Sequence, residues 1–485
     1  MTDVFLERPS SARAALAAVL VAIAGPVLAE QESSRLSDKP VAYHGDKELP
    51  LPTPPIFELG DVFLRPGNIK PGFELPTGAV WQPRFWVFGT LRTYVGTFDT
   101  GGSPARPVKQ QAEWATRADI FGNLQLTGSE RILIGIQPLH RDGAFTGRRF
   151  RPDRLDAGFQ DELNARVRTF YFEGDIGQIF PRLDREDRRQ FDIGFSVGRQ
   201  ELNFQGGMLI NDTLDALGVT KNNIRIPGWD WLNNLRITGL GAWGEVNRNR
   251  TLPPAGIDNA RDRGARLYAL LTSLDTVFGN QFASTIDMDI AFVDGGRDGT
   301  GDLWVAGISG TQRIGYVSST LRVLGSHAPG RRTAQSNNGA LVFGELSMAP
   351  FGTHNIAYAN FFWGIDHFTS AARDPTAGGP LGRAGLTFAS RGIGSYPAPL
   401  GNRADRAYGV ALGYQMFFDN NRRQVVVELG ARNDRTPGVP DAAALGIRMQ
   451  QALGRRCILE VEAFGAARRA ADNGYGLRIE LQVKL

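Results

Sequence analysis

The sequence predicts an all-β chain that closes into a single transmembrane antiparallel β-barrel of about eighteen strands with long extracellular loops; sixteen strands is the alternative count. The last eleven residues, YGLRIELQVKL, carry apolar side chains at every second position from Tyr475 to Leu485. A period of two places one set of side chains on each face of a strand. Similar runs recur from residue 84 onward, separated in turn by tight turns and long loops. A lipid-facing and a lumen-facing side would produce this pattern.

The N-terminus predicts export from the cytoplasm. Residues 1–29 resemble a signal peptide, because Arg8 and Arg13 precede an apolar run over 14–24 and small residues follow up to Ala29. That run is shorter than the ~18 residues that a membrane helix needs. Cys457 is the only cysteine, so an internal disulfide and a cysteine metal site are both excluded.

Three regions are predicted. Residues 1–29 are the signal peptide, 30–83 form a proline-rich periplasmic extension outside the barrel wall, and 84–485 form the outer-membrane barrel. The extension is rich in proline and poorly periodic. A plug inside the lumen is the alternative for it, and it is also a candidate to bind a periplasmic partner.

The predicted strands fall at regular intervals along the barrel region. They lie near 85–96, 113–126, 131–139, 164–176, 191–202, 220–229, 235–246, 264–277, 281–293, 303–311, 315–325, 340–348, 355–365, 405–417, 423–433, 442–451, 456–465 and 473–485. The tight turns are expected on the periplasmic side and the long loops outside. The loop over 366–404 is longer than any hairpin needs, and we expect it to fold into or over the pore. The last strand should close the barrel against the first and be recognised by the barrel-assembly machinery.

Alternation also predicts which side chains face the lumen. The lumen face is expected to carry Arg92, Arg117, Arg166, Arg168, Arg236, Arg266, Arg322, Arg432, Arg448, Arg456 and Arg478. Acidic residues share this face, including Asp119, Asp287, Asp289, Glu345, Glu428, Glu460, Glu462 and Glu480. Cys457 falls on the lipid face, where a lone thiol is expected to be inert packing.

The basic residues are almost all arginine. Six of the 54 are lysine, so the other 48 are arginine. Arginine stays charged and forks onto carboxylate or phosphate, and an arginine-lined pore would favour anions. The alternative is a charged lumen of paired arginines and acids without anion selectivity.

One predicted outer loop is unusually basic. The segment HRDGAFTGRRFRPDR over 140–154 holds Arg141, Arg148, Arg149, Arg151 and Arg154. These residues could form a basic funnel at the mouth of the pore or bind the phosphates of lipopolysaccharide, and the sequence does not separate the two.

A stretch in the middle of the chain carries a family resemblance. The strand FDIGFSVGRQEL over 191–202, followed by NFQGGMLINDTLDAL, resembles the Gly-Arg-Gln segment of alginate-export-type outer-membrane porins, and WQPRFWVFG over 81–89 resembles their opening strand. The resemblance covers about 40 residues; similar strand ends also occur in OprD-like porins. It implies passive passage of an acidic polysaccharide or a small anionic solute. It also implies that Arg199 lines the pore, although alternation places Arg199 with the lipid-facing residues unless a bulge at Gly198 turns it inward.

The function predicted from the sequence is an outer-membrane channel for the passive transport or export of an anionic solute or an acidic polysaccharide through an arginine-rich lumen. A general diffusion porin or an adhesion-type barrel is the alternative. No enzyme activity, metal or cofactor is predicted, because the five histidines do not share ligand spacing or a nucleophile arrangement. The net charge of +4 does not predict nucleic-acid binding. The expected partners are outer-membrane lipid and lipopolysaccharide.

Overall fold

The computed structural model describes residues 53–60, 72–99, 110–151, 158–183, 191–248, 261–278, 282–295 and 299–485. The predicted signal peptide, residues 30–52 and 61–71 of the extension, and Arg154 lie outside these ranges. Within them, eighteen long strands form one antiparallel sheet in which the last strand pairs with the first. The predicted eighteen-stranded barrel is therefore confirmed.

The barrel strands are numbered here from β1 to β18. The first nine are β1 (Arg84–Asp99), β2 (Gln111–Gln125), β3 (Arg131–Ile136), β4 (Val167–Asp175), β5 (Ile193–Phe204), β6 (Ile210–Ile224), β7 (Leu232–Trp243), β8 (Arg266–Phe278) and β9 (Phe282–Asp294). The others are β10 (Leu303–Ile314), β11 (Val317–His327), β12 (Gly339–Met348), β13 (Ile356–Asp366), β14 (Ala407–Phe418), β15 (Arg423–Asp434), β16 (Ala442–Leu453), β17 (Cys457–Arg468) and β18 (Gly474–Lys484).

The two rims of the barrel differ in their connections. The first strand begins and the last strand ends at one rim, where the Leu485 amide donates to the Gly89 carbonyl over 2.8 Å. Most connections at this rim are tight, such as 315–316 and 454–456, and the other rim carries the long ones over 137–166 and 367–406. Outer-membrane barrels have short periplasmic turns and long extracellular loops, so the first rim is periplasmic.

One predicted strand was misplaced. Residues 225–231, which overlap the strand expected near 220–229, form a periplasmic connection, and β6 instead runs over Ile210–Ile224. The chain turns earlier because Gln205, Gly206 and Gly207 all adopt positive φ, at 53°, 62° and 82°. Glycine makes such a turn inexpensive, so β5 and β6 are joined by five residues where a long loop was expected.

The two faces of the wall have opposite character. On β18, Leu477 and Ile479 are 48% and 51% exposed on the outer face, whereas Arg478 and Glu480 are buried on the inner face. On β16, Leu445 and Ile447 are likewise exposed on the outside. An apolar outer wall around a charged interior suits a barrel that spans lipid.

Part of the extension belongs to the wall, contrary to the sequence-based expectation. Residues Phe57–Leu59 form a short strand against the periplasmic end of β1, where Phe57 faces Val87. They occupy the edge of β1 that lies beyond the end of β18. This edge would otherwise leave backbone groups without partners, and an added strand satisfies them.

The remaining regular elements are short. They are the strands Phe73–Glu74, Val80–Trp81, His140–Arg141, Ala144–Arg151, Gly158–Gln160, Val246–Asn247, Arg261–Asp262 and Ala372–Arg373, the helix Ile176–Ile179, and the 3₁₀ turns Pro181–Leu183, Gln205–Gly207 and Pro375–Ala377. None of the helices in the described residues is long and apolar enough to cross a membrane.

Candidate functional site: the arginine-rich lumen

A hairpin leaves the wall and folds into the lumen. Strand β5 pairs with β4 only as far as Arg199, and β6 pairs with β7 only from Asp215 onward. Beyond these points β5 and β6 pair with each other and, within the described residues, with no other strand of the wall. At the tip, the Gln205 side chain donates to Asp289 of β9 over 2.8 Å. Residues 200–214, the inner hairpin, therefore cross the lumen towards the facing wall.

The long connection between β13 and β14 also lies inside the barrel, where its length led us to expect it. Residues 367–406 form this lumen loop. The Phe388 ring meets Phe362 of β13 edge to face at 5.3 Å. The Tyr396 ring lies between Phe98 and Phe464, at 5.8 and 5.6 Å. These buried rings fix the loop against the inner wall by apolar packing.

Wall carboxylates anchor the lumen loop as well. The buried Glu428 of β15 accepts hydrogen bonds from the backbone amides of Leu386 and Thr387, over 2.8 and 2.6 Å. On the other side of the loop, Glu113 of β2 accepts a bond from the Ser395 amide over 2.5 Å. A buried carboxylate is stable only when it is hydrogen-bonded in this way, so both acids serve to hold the loop.

The inner hairpin and the lumen loop are joined by a parallel pairing of Ile210 with Ala372 and of Asn211 with Arg373. The Ala371 amide donates to Leu209 over 2.9 Å, and the Asp374 amide donates to Asn211 over 2.7 Å. The two segments thus form one element inside the barrel.

Arg373 also bonds the inner hairpin to the lumen loop, and this contact between the two segments is the hairpin–loop joint. Its guanidinium donates to the carbonyl of Gly207 in the inner hairpin and to those of Ala377, Gly378 and Gly379 in the lumen loop. The side chain is buried, and burial lowers its pKa to about 10. It therefore remains charged at neutral pH, and a planar charged fork can satisfy several acceptors at once.

These two segments and the wall enclose an outer cavity of about 450 Å³. Seven arginines line it, accompanied by four acids. The arginines are Arg92, Arg117, Arg141, Arg166, Arg168, Arg383 and Arg391, and the acids are Asp142, Glu201, Asp212 and Asp374. The excess of positive charge at one constriction creates an attractive field for anions.

Arg168 reaches the cavity because β4 is irregular. The register between β4 and β3 shifts between Val167 and Thr169, which turns Arg168 inward. Its guanidinium pairs with Asp374 of the lumen loop. Burial alone would raise the pKa of Asp374, but Arg168 and hydrogen bonds from Thr376 outweigh burial and hold the pKa below its ordinary value.

His140 also lines this cavity. Its ring stacks on Phe145, with ring centroids 5.3 Å apart. Burial, reinforced by the charge of Arg117, lowers the pKa of His140 to about 4. The imidazole is therefore neutral at physiological pH and does not add to the positive charge of the cavity.

Two of the predicted lumen arginines hold the loop as well as face the cavity. Arg92 pairs with Glu480 over 2.6 Å and donates to the Arg391 carbonyl over 3.1 Å. Arg117 pairs with Asp119 over 2.8 Å and donates to the Gly392 carbonyl over 2.9 Å. Their charges are thus partly neutralised, as the alternative of paired arginines and acids anticipated.

Arg383 differs from these residues and was missed by the sequence analysis. It is exposed into the outer cavity from the lumen loop, and within the described ranges it makes no ion pair. Alternation assigns faces only to residues on strands. For an arginine in a loop, the only indication of a lumen position was the prediction that the loop enters the pore.

The other predicted lumen arginines on the wall occupy separate places. Arg236 and Arg322 line an inner cavity of about 740 Å³ on the periplasmic side of the inner hairpin, together with four acids, namely Glu173, Asp175, Asp287 and Asp289. Arg432 pairs with Asp434 over 2.9 Å near the extracellular rim. Arg448 lies 3.0 Å from Glu462 on the inner wall. The lumen is therefore basic on the outer side and acidic on the inner side.

Arg166 and Arg199 belong to an ion network at the extracellular rim. Arg199 is paired directly opposite Phe170, which is exposed on the outer face, so Gly198 does not turn it inward. Its guanidinium lies 2.8 Å from Glu245, which Arg166 also contacts at 2.5 Å. The resemblance implied a pore position for Arg199, but the structure places it at the rim.

Arg266 and Arg456 lie away from the lumen. Arg266 shares the outer face of β8 with the exposed Tyr268 and Leu270. Arg456 lies in a periplasmic turn and donates to the Pro54 carbonyl over 3.1 Å. Both departures occur at strand ends, where a one-residue error in the predicted register changes the face.

The basic outer loop is divided between the two faces. Arg141 lines the outer cavity. Arg149 is paired opposite the inward Glu113, and Arg148 is paired opposite the outward Trp114. Arg151 ends the same short strand. Neither the funnel nor the lipopolysaccharide interpretation therefore describes the whole loop.

Asp405 is a buried acid at the foot of the lumen loop. It is 2% exposed, and neither carboxylate oxygen has a hydrogen-bond partner among the described residues. Burial raises its pKa to about 7, and the nearby Arg403 and Arg432 offset only part of that effect. The ionised form is therefore costly in the folded protein.

Replacing Asp405 by asparagine is expected to stabilise the barrel at pH 8 and to have little effect at pH 4. The folded pKa lies above the unfolded value, so the native stability contributed by this site falls as pH rises from about 4 to about 7. The difference at pH 8 should be on the order of a few kcal/mol. Thermal unfolding of D405N and the native protein across this range measures it, and equal midpoints at pH 8 would contradict the assignment.

Comparison with known proteins places the fold. No family model matches the chain, and no curated protein matches it. OpdK, an outer membrane protein of Pseudomonas aeruginosa, is similar over 82% of this chain and 98% of its own, with 12% identity and a TM-score of 0.50. OccK9 (OpdG) of the same organism is similar over 83% and 98%, with 14% identity and a TM-score of 0.51.

These similarities show the barrel fold. Together with the apolar outer wall, the fold places the protein in the bacterial outer membrane, as predicted. The resemblance to alginate-export-type porins stays a prediction.

Proposed function

We propose that the protein is an outer-membrane channel through which small organic anions diffuse passively. The proposal rests on the outer cavity, where seven arginines face four acids and Arg383 has no partner among the described residues. Guanidinium groups bind carboxylates through two parallel hydrogen bonds. Positive charge at a constriction also raises the local concentration of anions.

The geometry favours a small solute over a polysaccharide. The inner hairpin and the lumen loop both occupy the lumen, and the cavity of about 450 Å³ between them is within the size range of small-molecule sites. The acidic inner cavity on the periplasmic side would not hold an anion strongly. A solute attracted at the outer site is therefore released beyond it, as passive diffusion requires.

Anion preference can be tested with Arg383. In planar bilayers under a KCl gradient, the reversal potential of the native protein is expected to have the sign that shows chloride to be more permeant than potassium. R383E should lower the anion-to-cation permeability ratio strongly, because it reverses a charge that pairs with no acid in the described part of the chain. Arg469, which is 84% exposed on the extracellular side, supplies the matched control R469E, and this variant should behave as the native channel.

Two outcomes would contradict the proposal. Cation selectivity of the native channel would exclude the anion preference. An absence of current in the folded protein would favour the adhesion-type barrel instead. A liposome-swelling comparison of propionate with its uncharged amide adds a substrate readout, in which propionate should enter faster through the native protein and lose that advantage in R383E.

A further inference from the structure

An amphipathic site lies on the outer surface of the barrel at its extracellular end. Strand β3 covers only the lower part of the edge of β2, and the short strand Ala144–Arg151 pairs with the upper part. Arg148 on this strand faces outward. It is paired directly opposite Trp114 on one side and Phe159 on the other.

The side chains around Arg148 are apolar and exposed. Phe159 is 60% exposed and Phe150 is 53% exposed, and the Trp114 and Phe159 rings approach each other at 6.4 Å. Trp114 is paired opposite Val95, which is 58% exposed and belongs to the outer wall. The patch therefore continues the lipid-facing surface up to its extracellular boundary.

Arg148 itself makes no ion pair with any residue in the described part of the chain. Its neighbour Arg149 lies opposite Glu113 and points into the lumen. The two consecutive arginines therefore point to opposite faces of the wall. An exposed arginine between aromatic side chains at a membrane boundary meets lipid on one side and head groups on the other. A lipid with an anionic head group and acyl chains would complement both the charge of Arg148 and the apolar rings around it.

We propose that Arg148, Trp114 and Phe159 bind a phosphorylated lipid of the outer leaflet, with the guanidinium on a lipid A phosphate and the rings against the sugar and acyl chains. The arginine fork bonds two phosphate oxygens. The exposed aromatic surface is covered by the lipid, which removes it from water. This site serves membrane anchoring and is independent of transport through the lumen.

Native mass spectrometry of the full chain in detergent tests the site. The probes are diphosphoryl lipid A, the same lipid without its phosphates, and phosphatidylethanolamine. R148Q is expected to bind diphosphoryl lipid A about tenfold more weakly, since a charge-assisted hydrogen bond is lost. R148K should retain part of the binding, and F159A should weaken it without changing the preference for phosphate.

The exposed Arg469 again provides the control, and R469Q should bind lipid A as the native protein does. Unchanged lipid A binding in R148Q would overturn the proposal, and so would an equal loss in R469Q. Equal binding of the dephosphorylated lipid would overturn it as well. Displacement of lipid A by inorganic phosphate at millimolar concentration would identify a free-anion site instead of a lipid site. Because Arg148 is exposed and forms no ion pair with the residues that the structure describes, the heat stability of R148Q should match the native value, which verifies folding.

Discussion

Replacement of Arg373 by methionine is expected to increase single-channel conductance severalfold and to reduce anion selectivity. The guanidinium is the bond donor that ties Gly207 of the inner hairpin to Ala377, Gly378 and Gly379 of the lumen loop. Methionine has a similar length but donates nothing, so the buried Gly207 carbonyl and three partly buried carbonyls lose a partner. A buried group left unsatisfied costs about 1–3 kcal/mol. If the two segments separate, water can hydrogen-bond these carbonyls. We therefore expect the segments to separate and the constriction to open.

R373K distinguishes a loss of charge from a loss of geometry. Lysine keeps the charge, but its single ammonium cannot reach carbonyls arranged for a planar fork. If the joint depends on the fork, R373K and R373M should both conduct more than the native channel. If only charge matters, R373K should behave as the native channel.

A cross-link provides the complementary test. Ile210 and Ala372 are direct partners in the parallel pairing, so cysteines at these two positions lie at a spacing that a disulfide can bridge. In a C457S background, oxidation of I210C/A372C should restore low conductance to R373M, and reduction should raise it again. Equal conductance of R373M and the native protein in all these states would show that the joint does not control the opening.

The barrel itself could be predicted from the sequence because lipid imposes a regular pattern. A strand between lipid and an aqueous lumen must alternate, and a closed sheet must return each strand to the correct rim. This is why the faces of Leu477 and Arg478, and the pairing of the last strand with the first, follow directly from the sequence.

The contents of the lumen obey no such repeat. The inner hairpin reads as ordinary strand up to Phe204, and only the Gly206-Gly207 pair signals its turn. Arg383 and Arg373 lie in a loop, where alternation assigns no face. Arg168 was predicted to face the lumen, but it does so through a register shift that no local sequence signal marks. The candidate site was therefore predicted in its chemistry but only partly in its residues.

The second large effect concerns Arg478 of the closing strand. Its guanidinium is fully buried on the inner wall, where it pairs with Glu480 and lies 3.4 Å from Glu460. It also lies over the rings of Tyr94 in β1 and Tyr396 in the lumen loop, at 5.3 and 5.5 Å. One side chain thus connects β18, β17, β1 and the loop.

R478M is expected to lower the thermal unfolding midpoint strongly, because methionine fills the volume but takes a positive charge away from the buried Glu480 and the partly buried Glu460. Removal of one partner from a buried ion pair typically costs about 3–5 kcal/mol. The shift of the folded barrel to the unfolded band on a gel after stepwise heating measures the change. The exposed R469M is the control and should melt with the native protein.

The double variant R478M/E480Q separates charge from packing. Without Arg478 the two carboxylates keep, among the described residues, only Arg92 beside Glu480 and Arg448 near Glu460. Glutamine removes one of these two negative charges, so the double variant should recover a substantial part of the stability that R478M loses. If the loss came only from the contacts of Arg478 with Tyr94 and Tyr396, the glutamine would recover nothing. Recovery would show that the arginines of this inner wall stabilise the barrel by balancing its acids. Arg383, which makes no ion pair within the described ranges, is instead available to a passing anion in the outer cavity.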